Sequence, residues 1–182
     1  SANSDPDPLC RLAAIRTLGR YKDPRAIGIL DSAFQDKLPY DSERNQNIRM
    51  QILASMEQTE SPQALKRFIL VARQPAGVRE SPTEGQAIRD ERFAAIRALS
   101  KYKDKDAQET LVHLLETERD IALKMRVQTS LKTITDKDIP PDGKMWREYL
   151  ATGKEPNIDR PSYMAKMIDK HWDGIAAYCE SE

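Results

Sequence analysis

The chain has 182 residues, 32% of them charged and 39% hydrophobic, which suits one ordinary domain or one repeat array. Its 29 basic side chains meet 29 acidic ones, thirteen of each up to Glu91 and sixteen of each from Arg92 on. A general nucleic-acid binder carries a basic excess, so the balance argues against that class, and no apolar run approaches the roughly 20 residues of a membrane span.

Aromatics make up 6% of the residues, so the core must be mostly Leu, Ile, Ala and Met. The sequence opens at Ser1, without a Met or a signal-type apolar segment, and reads as a trimmed or mature soluble chain. Cytoplasm and periplasm both remain open. Cys10 and Cys179 stand near opposite ends. In an array of helices about 8–10 Å apart they fall beyond the roughly 7 Å that a disulfide spans, which predicts two thiols.

Asp7-Pro8 predicts the first helix, with Asp as N-cap and Pro where a missing N–H costs nothing. Leu9, Leu12, Ile15 and Leu18 recur at helical spacing, Ala13 and Ala14 leave room for a neighbour, and Gly19 loosens the last turn. Asp23-Pro24 opens a second helix with Ala26, Ile27, Leu30 and Phe34, so residues 7–36 read as a helical hairpin.

A shift of 38 sets Ser61-Pro62 on Asp23-Pro24, Leu53 on Ile15, Met56 on Leu18, Ala64 on Ala26 and Phe68 on Leu30. This predicts a second unit over 42–74. Residues 36–42 connect the two units, and a longer connector, 74–80, follows with Val78 at its tip. Loops of that kind often carry function, although extra length also costs little in a plain connector.

Ser81-Pro82-Thr83-Glu84 reads as a capping box that starts a helix running to about Tyr102, with Ile88, Ala95, Ile96 and Leu99 buried. Asp104 caps its partner, which bears Ala107, Leu111, Leu114 and Leu115, and the two span 81–118. In a fourth unit, 119–152, Leu123, Val127, Leu131 and Ile134 mark one helix. Trp146, Tyr149 and Leu150 mark another after Pro140-Pro141-Asp142-Gly143. Residues 153–182 read as a linker and a capping helix from about Pro161, lined by Met164, Met167, Ile168, Trp172, Ile175 and Cys179.

Residues 94–111 repeat residues 13–30 at ten of eighteen positions. Cap positions at Asp23, Ser61, Asp104 and about Asp136 lie 38, 43 and 32 apart, which is the length of a two-helix repeat. Hairpins of this kind bury their apolar stripes only by stacking. The expected fold is therefore all-α, a superhelix of about four hairpins plus a C-terminal helix, and the expected state is a monomer.

The pattern resembles the HEAT repeat, in its bacterial PBS-lyase HEAT-like form. Arg11, Ala13, Ala14, Leu18, Gly19, Asp23, Pro24, Ala26, Ile27 and Leu30 carry it. The Arg recurs as Arg49 and Arg92, with Lys124 in the fourth unit. Residues 131–150, with Thr135, Asp138, Pro141, Trp146 and Leu150, look like the closing unit of such arrays. The resemblance covers about 7–152 and implies a right-handed superhelical solenoid that binds other macromolecules.

Two sets of residues stand out. Arg11, Arg49 and Arg92 should form a ladder near acids such as Asp7 and Asp90, and the expectation is a structural tie between repeats. Second helices usually line the concave side, so Arg25, Lys66, Arg67, Arg73, Glu109, His113, Glu116, Lys144 and Arg147 are candidate partner contacts. Their basic, acidic, basic order suits a protein partner; a merely solvated face would show it too.

His113 and His171 have no second ligand at metal spacing, no Gly-rich phosphate loop appears, and no cofactor or metal is expected. Trp146 and Trp172 read as core rather than as base-stacking platforms. The expected function is a non-enzymatic protein-interaction or scaffold module, either free or part of a larger protein. The alternatives are a HEAT-like enzyme, of the bilin-lyase or alkylpurine DNA glycosylase type, and a structural spacer.

Overall fold

Asp and Pro punctuate this chain, and most of its helices begin at or directly after one of them. In a computed structural model, which describes residues 7–21, 24–35, 43–75, 81–157 and 165, eight α-helices form. They are α1 (Pro8–Tyr21), α2 (Pro24–Gln35), α3 (Glu43–Thr59), α4 (Pro62–Ala72), α5 (Pro82–Leu99), α6 (Lys105–Thr117), α7 (Ile121–Thr135) and α8 (Gly143–Thr152). No strand occurs among the described residues. No helix there is long and apolar enough to cross a membrane.

Asp7 caps α1 by accepting from the Leu9 N–H at 2.9 Å. Ser61 caps α4 through the Ala64 N–H, and Asp104 caps α6 through the N–H groups of Asp106 and Ala107. These satisfy donors that a helix start leaves without partners. Two expectations need correction. Ser81 has N-cap backbone geometry, yet its side chain makes no capping bond, so the capping box does not form. Asp136 is no N-cap: it ends α7 in the left-handed region at φ 55°. The cap of α8 is Asp142, which accepts from the N–H groups of Lys144 and Met145. A further Asp, Asp120, caps α7 through the N–H groups of Ala122 and Leu123.

The chain divides into two compact units, 1–147 and 148–182, with the boundary inside α8. Within the first, the odd-numbered helices stack in order, α1 on α3, α3 on α5 and α5 on α7. The second helices follow the same course, α2 beside α4 and α4 beside α6, and each leans on the next unit's first helix. The core runs along this double row. Ile15, Leu30, Ile52, Leu53, Met56, Phe68, Ile96, Leu99, Leu111, Leu131 and Trp146 are buried.

Two further details differ from expectation. Ala13 and Ala14 are exposed, whereas their counterparts Ala94 and Ala95 are buried. Gly19 does more than loosen a turn. A Cβ there would meet the Ser55 Cα at 2.8 Å, so the missing side chain lets α1 lie against the α3 backbone. Cys10 is exposed. The connectors 36–42 and 76–80, Asp23, Trp172, Cys179 and the expected C-terminal helix lie outside the described residues, apart from residue 165.

Candidate functional site

The first helices place the arginines that recur in their shared register between units. Arg49 donates from Nε to Glu91 Oε1 at 2.5 Å and from Nη2 to Glu91 Oε2 at 3.1 Å. A third bond runs from Arg49 Nη1 to the Phe34 carbonyl at 3.2 Å, and the guanidinium lies 4.2 Å from the Phe34 ring centroid. Arg92 repeats the arrangement: Nε donates to the Ala72 carbonyl at 3.2 Å, and Nη2 bonds Glu118. Phe34 and Ala72 both lie in the last turn of a second helix, where carbonyls lack helical partners. Each arginine thus joins the end of the preceding unit to a carboxylate further along.

The acids of this ladder are Glu91 and Glu118, in place of the expected Asp7 and Asp90. Asp90 instead accepts from Gln86 Nε2 at 2.8 Å. Burial opposes the charge of Glu118, but the Asp120 N–H, Arg92 and the Arg119 N–H together hold its carboxyl below the usual range. The Asp120 carboxyl is lowered as well, first by its hydrogen bond from Arg89. At the first rung, the Arg11 Nε is buried with no hydrogen-bond partner.

The second helices carry a parallel set of ties. Arg67 Nε donates to Asp31 at 2.5 Å, joining α4 to α2. Arg73 Nη2 donates to the buried Thr110 Oγ1 at 2.8 Å, joining α4 to α6. Arg147 Nη2 donates to Glu116 Oε2 at 2.6 Å, and that bond with Glu116 raises the Arg147 pKa. Four of the candidate contacts, Arg67, Arg73, Glu116 and Arg147, are therefore engaged between units.

Arg25, Lys66, Glu109, His113 and Lys144 are exposed on the second helices and α8, Glu109 lying 3.6 Å from Lys105. Two apolar residues on the same helices are exposed as well: Ile29, which the sequence marks as a position differing between the copies (Thr110 in the second clear one), and Leu70, which the sequence reading missed. Ile29 of α2 is 49% exposed and Leu70 of α4 is 62% exposed. Their signal was present in the sequence: the register sets Ile29 on Arg67 and Leu70 on Ser32, so neither position is apolar in both units.

Residues 11–36 and residues 91–117 each match the family model described as PBS lyase HEAT-like repeat. These two stretches are HEAT-like repeats. The matched stretches lie in the first and third units of the helical stack. No curated protein and no solved structure matches the chain. Among the described residues, no group of three or more His, Cys, Asp or Glu is placed to hold a metal ion.

Proposed function

We propose that the chain is a non-enzymatic interaction module that takes a protein partner on the face of its second helices. The observation that carries this reading is the exposure of Ile29 and Leu70 on consecutive second helices, with Arg25 and Lys66 exposed on the same two. Apolar side chains supply the contact energy of a docking surface, and charges around them set orientation and choice of partner. The inter-unit bonds of Arg67 and Arg73 hold the helices that bear these residues in fixed register, which lowers the ordering cost of binding. A partner with an apolar strip edged by acids fits such a face.

The test is capture from a lysate of the source cells, with the wild-type chain against an Ile29→Glu, Leu70→Glu double variant. Both positions are open to solvent, so the variant should keep the wild-type melting temperature. Loss of one or more specific partners from the variant supports the reading. Equal capture by both chains, or no specific capture by the wild type, contradicts it.

The family description names a lyase, so a second arm adds a bilin to the chain and follows its fluorescence. Stoichiometric binding with turnover would replace the interaction reading by an enzymatic one.

A further inference from the structure

The units share one register, so each position of α1 can be compared with its counterparts in α3, α5 and α7. Arg11 corresponds to Arg49, Arg92 and Lys124. The position before it is Ile48, Glu91 and Leu123 in the later units, all buried; in α1 it is Cys10, exposed. Ala14 is exposed, while its counterparts Ile52, Ala95 and Val127 are completely buried. Thr17 is exposed, while Ser55, Ala98 and Ser130 are buried. Tyr21 is 76% exposed and Tyr102 only 8%.

In α3, α5 and α7 this face is covered by the preceding unit. In α5 it meets α3 and α4, and in α7 it meets α5 and α6. The open face of α1 is thus the continuation of an interface that the molecule builds three times. Arg11 gives a second, independent sign. Arg49 and Arg92 each donate to a carbonyl in the last turn of the preceding second helix, whereas the Arg11 Nε is buried without an acceptor.

We propose that this face of α1 is a docking surface for one further helical hairpin of the same repeat type. The ladder also says which kind of hairpin fits. Arg49 takes its carboxylate from the next unit's first helix, at Glu91. Arg92 takes it from Glu118, directly after its own second helix, and the next first helix presents Leu123 at the equivalent place. In α1 that place is Cys10, and the neighbouring carboxylate, Asp7, already accepts from the Leu9 N–H at 2.9 Å and from the Cys10 Sγ at 3.7 Å. The occupant is therefore a hairpin of the second kind, with its own acid at the end of its second helix and a terminal carbonyl for Arg11. This inference stands apart from the second-helix face and does not depend on it.

A copy of residues 81–118 has these properties and contains no cysteine. Joined by a Gly-Ser linker to the N-terminus of the full chain with Cys179→Ser, it meets α1 at high effective concentration. The rate at which a thiol reagent labels Cys10 reports docking, and should fall about tenfold or more relative to the unfused chain. Ala14→Glu in the fused protein should restore fast labelling, while in the unfused chain it should leave melting unchanged, since Ala14 is exposed there. Unchanged labelling in the fusion overturns the proposal, as does slow labelling that Ala14→Glu fails to reverse. A concentration-dependent dimer of the unfused chain that protects Cys10 would overturn it too, by making a second copy the occupant.

Discussion

Gly19 of α1 crosses Ser55 of α3 with no space for a side chain: a methyl group on Gly19 would lie 2.7 Å from the Ser55 Cβ. Backbone atoms form part of that wall, so neither helix can yield by a rotamer change. Gly19→Ala is expected to destabilise the chain by about 1–3 kcal/mol, as overpacked cores do. Gly28 is the control, because a Cβ there meets nothing within 4 Å and its helix gains from losing a glycine. Gly28→Ala should stabilise by about 0.5–1 kcal/mol. Urea melts of both variants check the opposite signs.

The Arg49–Glu91 pair is buried on both sides, with 10% and 2% of the two side chains exposed. Removing one member strands a charge in the core. Glu91→Leu alone is expected to cost about 3–5 kcal/mol, and the double variant Arg49→Met, Glu91→Leu markedly less than the sum of the singles. A double-mutant cycle by chemical denaturation measures that difference. Additive losses would mean that the pair does not act as a unit.

Tyr102 packs against Phe68, ring centroids 6.3 Å apart, with its hydroxyl buried and without a hydrogen bond. Tyr102→Phe removes a polar group that folding leaves unsatisfied, and should stabilise by about 1 kcal/mol. Burial pushes the hydroxyl pKa up to about 12, with Glu60 and Glu57 adding to the shift. The folded state then keeps a proton that the unfolded chain releases near pH 10. Stability from this group is whole below pH 10 and falls as pH rises toward 12. Melting curves of wild type and Tyr102→Phe from pH 9 to 11.5 should show the variant losing less.

Trp146 is fully buried, and its Nε1 donates to Gln128 Oε1 at 3.0 Å, while Gln128 Nε2 bonds the Ile139 carbonyl. The indole thus fixes the turn between α7 and α8 as well as filling space. Trp146→Ala should cost about 3–5 kcal/mol. Trp146→Phe should recover the packing in part, yet leave Gln128 with one bond fewer. Thermal melts of the two variants, ordered Ala below Phe below wild type, check this.

The repeat was legible because it is written in local chemistry. Apolar spacing, the Ser61 and Asp104 caps and the burial of Trp146 all follow from short windows of sequence. Asp136 misled because an Asp followed shortly by prolines imitates a helix start; its backbone is in fact a left-handed stop. The ties between units were hidden for another reason. Arg67 and Asp31 lie 36 residues apart, Arg73 and Thr110 37, and Arg49 and Glu91 42. Those separations are close to one repeat length, so the usable signal is complementary groups one period apart rather than neighbours on one helix. On the candidate face, charge and the variable position Ile29 drew attention, whereas the exposed Leu70 did not.

The most direct test of the interaction reading is a photo-crosslinking scan of the full chain in its source cells. A crosslinkable residue is placed in turn at Ile29, at Leu70, and at the exposed Arg126 on the first-helix row. The account predicts one shared protein adduct from positions 29 and 70 and none from 126. Adducts from 126 alone, or no adduct from 29 and 70, would contradict it.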